Sequence, residues 1–404
     1  MNDKGHTSLR YQIMCDASLV FTKPLSQIAF ADIKALQNNQ TQESDILDYK
    51  AGLIDDDQLI RHVTAFANTR GGFIIFGVEE TGRGGFPKAI PGIDQQEINK
   101  ERMEQILLSN ISPRVNVKMR DIPHDNGQKR ILLLQIPDSS LRPHMNLRLK
   151  KYMKRYEFEA VDMNERDVTE AYRTRFSSYD VVEKYIRTAT SRPDPMYNVK
   201  AQILVIPTVL DTRLVDTSDR ENLAWLEPGK IHPQPTSVDA FVPDIPTPSP
   251  RGVVCQRQFR YLEVHRNGCV EYGREFASDF TKVEKHDNTW YFPYVEFCIR
   301  LLHTLQFASI VYSQYNYFGE VKAVVAIKPS GHLVLPRSAL ADSFDNGVCR
   351  SSEIWVDRSL SSTILESDFS PVAASIMHEI FSCFGQWRCP LFDSKGNYVI
   401  EKLR

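Results

Sequence analysis

Between Pro228 and Pro250 lie seven of the chain's 22 prolines. Neither a helix interior nor a central strand tolerates that density, because each proline fixes φ and removes a backbone donor. The stretch divides the chain, and residues 227–252 are expected to form a Pro-rich linker between two folded units. With 404 residues, 42% hydrophobic and 25% charged, the chain suits two or three globular domains and excludes a disordered, collagenous or coiled-coil protein. The expected order is an N-terminal extension (1–24), an α/β unit (25–180), a connecting segment (181–226), the linker, and a C-terminal α+β unit (253–404). A formal PxxP face from Pro243 to Pro246 is the functional alternative to plain linker.

Forty-nine Lys and Arg stand against 51 Asp and Glu, so any basic footprint for nucleic acid has to be local. The seven cysteines, Cys15 among them, form no CxxC pair, which argues against a zinc knuckle or a redox dithiol. The first residues carry no apolar run of signal-peptide length, and the most apolar long segment, 291–313, contains Glu296, Arg300 and His303. A buried helix is expected there instead of a membrane span, in a cytoplasmic protein.

Apolar periodicity ahead of the linker predicts a strand at Ile46–Lys50, a helix at Asp56–Thr69 stopped by Gly71-Gly72, and a buried strand at Phe73–Val78. It continues with a helix at Gln95–Ile111, a hairpin around Asp125-Asn126-Gly127, a strand at Lys150–Glu157 and a helix at Asn164–Arg175. Beyond the linker it predicts a hairpin at Phe259–Phe276 turning at Arg266-Asn267-Gly268, a long helix at Tyr291–Tyr317, strands on either side of Ser330-Gly331, and a helix at Pro371–Phe384. The fold class is α+β, and the C-terminal unit carries no motif of nameable chemistry.

The segment Glu43-Ser44-Asp45-Ile46-Leu47-Asp48-Tyr49-Lys50 carries the chemistry. On a strand, Leu47 and Tyr49 face a core while Asp48 and Lys50 share the opposite face. Glu79 and Glu80 end the next buried strand, so Glu43, Asp48 and one of those two can converge. Three carboxylates without a nearby His or Cys suit a hard cation, Mg²⁺ or Mn²⁺. The plainer reading is solvated punctuation, since acid–x–Lys occurs four times in the chain. His62 is expected to be structural, and the glycines around Arg83 a loop, since no Walker A sequence or dinucleotide fingerprint surrounds them.

Residues 102–155 hold twelve Lys and Arg against four Asp and Glu. The excess culminates in Arg148, Lys150, Lys151, Tyr152, Lys154 and Arg155, where cations can meet phosphates and tyrosines can stack on bases. The alternative is a solvated strand balanced by the acidic first helix.

Taken in order, ESDILDYK, HVTAFANTRGGFIIFGVEETGRGG, LLLQIPDSSLRP and KYMKRYEFEAVDMNERDVTEAY resemble the Schlafen AlbA-type domain, a family of nucleic-acid-binding domains, over about residues 25–175. Animal members are metal-dependent endonucleases acting on transfer and ribosomal RNA through three acidic residues. The resemblance places those acids at Glu43, Asp48 and Glu80, with Lys50 beside them and Arg142 as a further phosphate contact. Asp48 stands where the family commonly has Glu, and Glu80 where it commonly has Asp; each swap changes reach by a methylene against metal–oxygen distances of about 2.1 Å. The resemblance implies a Mg²⁺- or Mn²⁺-dependent endoribonuclease, with RNA favoured over DNA and a homodimer supplying the second lobe of the animal core. Two other classes stay open: a non-catalytic DNA-binding regulator with a C-terminal sensing domain, and a phage-defence sensor whose C-terminal domain meets a protein partner.

Overall fold

The computed structural model describes residues 20–21, 23–82, 84–125, 127–191, 201–210, 213–217, 220–234, 241–257, 260–274, 289–328, 332–340 and 347–399. Cys15, Arg83, Asn126, the expected turn at Ser330-Gly331, the ends of the Phe259–Phe276 hairpin and most of the 1–24 extension lie outside them.

The first half begins with helix α1 (Phe30–Asn38), strand β1 (Leu47–Lys50), helix α2 (Asp56–Ala67) and strand β2 (Gly72–Phe76). Asp55 caps α2 by accepting the Gln58 amide at 2.8 Å, and Asp56 and Asp57 put negative charge where the helix dipole favours it. The helix ends before Gly71, whose φ of 66° only glycine adopts without strain; a Cβ there would sit 2.5 Å from the Ile136 carbonyl oxygen. Short strands β3 (Glu79–Glu80), β4 (Pro87–Ala89) and β5 (Ile93–Asp94) follow, then helix α3 (Lys100–Asn110) and strand β6 (Ile111–Ser112). The helix expected over Gln95–Ile111 is split, because Asn99 caps a new start by accepting the Arg102 amide at 2.9 Å.

Strands β7 (Lys118–Pro123), β8 (Lys129–Ile136), β9 (Met145–Asn146), β10 (Lys151–Tyr156) and β11 (Glu159–Asp162) complete this half. Among the described residues they form a five-stranded sheet, ordered β1-β2-β8-β5 with β7 on β8, and a four-stranded sheet, β11-β10-β9-β6. β1 runs parallel to β2, with Asp48 opposite Ile74. Strand parity then sorts the side chains. Leu47, Tyr49, Phe73 and Ile75 pack with α1, whereas Ile74 and Phe76 pack with Leu59, Val63 and Phe66 of α2. Asp48 therefore projects toward α2.

Helix α4 spans Glu165–Ser191, well past the end expected at Arg175. Its later turns bury Val182, Ile186 and Ala189 against the second sheet, so the apolar period continues. That sheet, seven-stranded among the described residues, contains β12 (Ala201–Pro207), β13 (Thr247–Pro248), β14 (Gly252–Arg257), β15 (Arg260–His265), β16 (Val270–Arg274), β18 (Glu320–Ile327) and β20 (Ile354–Ser361). The strands expected on either side of Ser330-Gly331 are β18 and β19 (His332–Val334), and β19 pairs in parallel with β17 (Thr289–Tyr291). The opposite face of the seven-stranded sheet carries α5 (Tyr294–Gln314) and α7 (Ser370–Ser382), with short α6 (Ser362–Ser367) between strand and helix.

Two boundaries need correction. Residues 181–226, expected to connect the units, supply the end of α4 and strand β12, which sits between β16 and β18. The Pro-rich stretch is not a free linker where it is described. Phe241 and Val242 are buried in the second core, and Thr247–Pro248 forms an edge strand, the position in a sheet that tolerates proline. Pro243 and Pro246 are both buried, which removes the PxxP face.

The halves meet through a buried Ser140–Thr208 hydroxyl contact at 2.7 Å, a Lys118–Glu366 ion pair at 2.9 Å and the Leu25 amide donating to Asn316 Oδ1 at 3.0 Å. A groove of about 690 Å³ between them is lined by residues including Leu107, Val115, Lys118, Ser313, Phe318 and Glu366.

Candidate functional site

The acidic residues singled out in the sequence do gather around β1. Asp48 is 1% exposed, and its two oxygens face different cations: Arg155 Nη1 lies 3.1 Å from Oδ1 and Lys50 Nζ 2.6 Å from Oδ2. Arg155 spans the interior, with its guanidinium 4.6 Å above the Phe66 ring and Nη2 donating to the Ser44 carbonyl at 3.0 Å. His62 Nδ1 is 3.9 Å from Asp48 Oδ2. Burial holds the His62 imidazole down at about 4 against the pull of Asp48, so it stays neutral near pH 7.

Glu43 lies beside this group. Its Oε1 accepts the Tyr49 amide at 2.6 Å, and its own amide donates to the Gly85 carbonyl at 2.8 Å. Burial pushes its carboxyl up to about 7, helped by repulsion from Asp48 and Glu80 and opposed by the Tyr49 hydrogen bond and by Lys50. Glu80 is half-buried on β3, while the adjacent Glu79 pairs with Lys88 at 3.0 Å. Gly85 of the glycine loop thus lies against Glu43.

This donor set does not fit a dication held by three carboxylates. Both Asp48 oxygens already face cations, Arg155 on Oδ1 and Lys50 on Oδ2. Among the described residues, the one group of three whose ligand atoms lie within 4.8 Å of one another is Glu263, His265 and Glu271, in the other half of the chain. Those buried residues could hold a metal ion. The sequence reading missed them, although Glu263 and His265 stand two apart on a strand whose hairpin partner was legible.

The basic strip divides by strand parity. Along β10, Met153 and Arg155 point inward and are 1% and 4% exposed, whereas Tyr156 on the other face is 64% exposed. Arg155, expected at a phosphate, is therefore corrected to an interior partner of Asp48. Arg142 is also engaged: it pairs with Asp138 at 3.0 Å and donates to the Thr69 carbonyl. Three of the remaining cations sit at the surface with carboxylate partners. Lys154 pairs with Asp167 at 2.8 Å, Lys151 with Asp162, and Arg148 with Asp57 at 2.6 Å. Arg148 thus does meet the acidic start of α2. Lys150, in a left-handed turn with φ of 55°, makes no such pair among the described residues. Tyr152 shares a 3.0 Å hydroxyl contact with Tyr172, which stacks on the exposed Phe176 ring.

The fold and this surface define an α+β domain with a basic, aromatic-bearing strand. Residues 43–164 match the family model described as Schlafen, AlbA_2, and this part of the chain is a Schlafen AlbA-type domain, a nucleic-acid-related family. No curated protein matches the chain. Among solved structures it is similar to the DIP2311 protein of Corynebacterium diphtheriae, at 17% identity and a TM-score of 0.25, over 42% of this chain and 34% of that one. It is also similar to the N-terminal domain of a RecG-related protein of Nitrosomonas europaea, at 15% identity and a TM-score of 0.26, over 34% of this chain and 93% of that one. Among the described residues, no helix is long and apolar enough to cross a membrane.

Proposed function

We propose that the N-terminal domain binds single-stranded nucleic acid across the outer face of β10, with RNA favoured by the family resemblance. One observation carries this: Tyr152, Lys154 and Tyr156 alternate along a single strand face, an ammonium between two aromatic rings. Rings stack on bases of any sequence while the cation meets the backbone. Exposed ion pairs contribute about 0–1 kcal/mol, so phosphates replace Asp162, Asp167 and Asp57 on Lys151, Lys154 and Arg148 at little cost. Lys150 adds charge at the strand entrance. The groove between the halves has the size of a small-molecule site, which suits a regulator whose second domain senses a ligand.

A second reading, the Mg²⁺- or Mn²⁺-dependent endoribonuclease, is favoured by the gathering of Glu43, Asp48, Lys50 and Glu80 around β1. The cations on Asp48 weigh against it. Homodimerisation belongs to that reading, which needs a second lobe.

Fluorescence anisotropy with labelled oligouridylate and oligothymidylate tests the binding reading. Affinity should fall steeply with salt, and Lys154→Ala should lower the slope by about 0.7. Unchanged affinity in a Lys154→Ala/Tyr156→Ala double variant would overturn it.

A further inference from the structure

Glu263 and His265 lie on β15 with side chains on the α4 side of the seven-stranded sheet, because the intervening Leu262 and Val264 pack in the opposite core. The β15–β16 register sets Glu271 directly opposite Glu263. All three are 2% exposed or less. His265 Nε2 is 3.4 Å from Glu263 Oε2 and 3.3 Å from Glu271 Oε2, and it has no hydrogen-bond partner. A charge-assisted N–H···O⁻ bond would be about 2.7–2.9 Å, shorter than either contact here.

An ion describes this geometry well. A tetrahedral site with metal–ligand distances of about 2.0–2.1 Å has ligand–ligand edges of roughly 3.3–3.4 Å. The outward atoms of the three residues are held as metal ligands commonly are. His265 Nδ1 meets the Tyr185 hydroxyl of α4, Glu263 Oε1 accepts from Ser249 at 2.6 Å, and Glu271 Oε1 accepts from Tyr261 at 2.6 Å and from Gln202 at 3.1 Å. Arg251 also donates to Glu263, with Nε and Nη2 reaching Oε2 at 3.2 and 2.5 Å. We propose that Glu263, His265 and Glu271 bind a divalent transition-metal ion, with one imidazole and two carboxylates matching zinc best. Buried between sheet and helix, the ion would tie the end of α4 to the second domain. This inference is independent of the nucleic-acid reading.

The test is metal content of the untagged full-length chain by mass spectrometry after dialysis and zinc loading, together with the visible spectrum of the Co²⁺-loaded protein. The expected result is one zinc per chain and the absorption bands of four-coordinate cobalt, both lost in His265→Gln and Glu271→Gln. Tyr185→Phe, which removes the hydrogen bond to the imidazole, should weaken zinc binding about 10–100-fold. The wild-type measurement stands even where a ligand variant fails to fold. A wild-type chain that takes up no stoichiometric zinc or cobalt would overturn the proposal, as would uptake unchanged by both ligand substitutions.

Discussion

Asp48 and Glu263 are both fully buried carboxylates that meet an arginine, yet their surroundings lead to opposite expectations. Around Asp48 the charges are matched inside the protein, with Arg155 on one oxygen and Lys50 on the other. Around Glu263, Arg251 again supplies a cation, but a second carboxylate, Glu271, and the His265 Nε2 atom converge beside it. Residue type did not separate them, since family resemblance pointed to the first as the metal site. What separates them is which atoms face each oxygen.

The largest effect is expected at Arg155. Arg155→Ala leaves Asp48 buried without its interior cation and should cost about 3–5 kcal/mol in urea unfolding. Adding Asp48→Asn should recover part of that loss. A cost below about 1 kcal/mol would break the contrast between the two carboxylates.

The next effect concerns Glu43, whose carboxyl is raised from 4.5 to about 7 in the folded protein. A raised carboxyl binds its proton more tightly when folded. Its contribution is complete below the unfolded value and is lost as pH rises through the folded one. Wild-type stability should therefore fall between about pH 4.5 and 7 by at most about 3 kcal/mol. Glu43→Gln should remove that slope, which unfolding curves across the range will show.

Smaller effects follow at the surface. Tyr156→Ala should weaken nucleic-acid binding by about 1–3 kcal/mol, with little change in stability because the ring is 64% exposed. Lys151→Ala should lower stability by less than about 1 kcal/mol, and added salt should shrink the difference.

Much of the fold was legible because period-two and helical patterns were clear. The parity of β1 put Asp48 and Lys50 on one face, and the apolar residues of α2 marked its buried side. Arg155 was misplaced because a run of cations reads as surface, although Met153 two residues earlier already marked the inward face of β10. The strand Ala201–Pro207 falls in the segment expected only to connect the two units, even though its apolar run has the length of a buried strand. Glu263 and His265 were visible as a pair. Glu271 joins them only through the hairpin register, which the turn at Arg266-Asn267-Gly268 sets and the sequence does not state. The cations facing Asp48 come from positions 50 and 155, and only folding brings the second of them to it.

The most direct measurement is incubation of labelled RNA with wild type and Asp48→Ala in Mn²⁺, Mg²⁺ or EDTA, scoring retention and cutting together. Retention of intact RNA by both proteins, equal with and without metal, is expected if β10 binds and Asp48 is a structural ion-pair partner. Metal-dependent cutting that disappears in Asp48→Ala would contradict this and assign the nuclease to the Asp48 cluster.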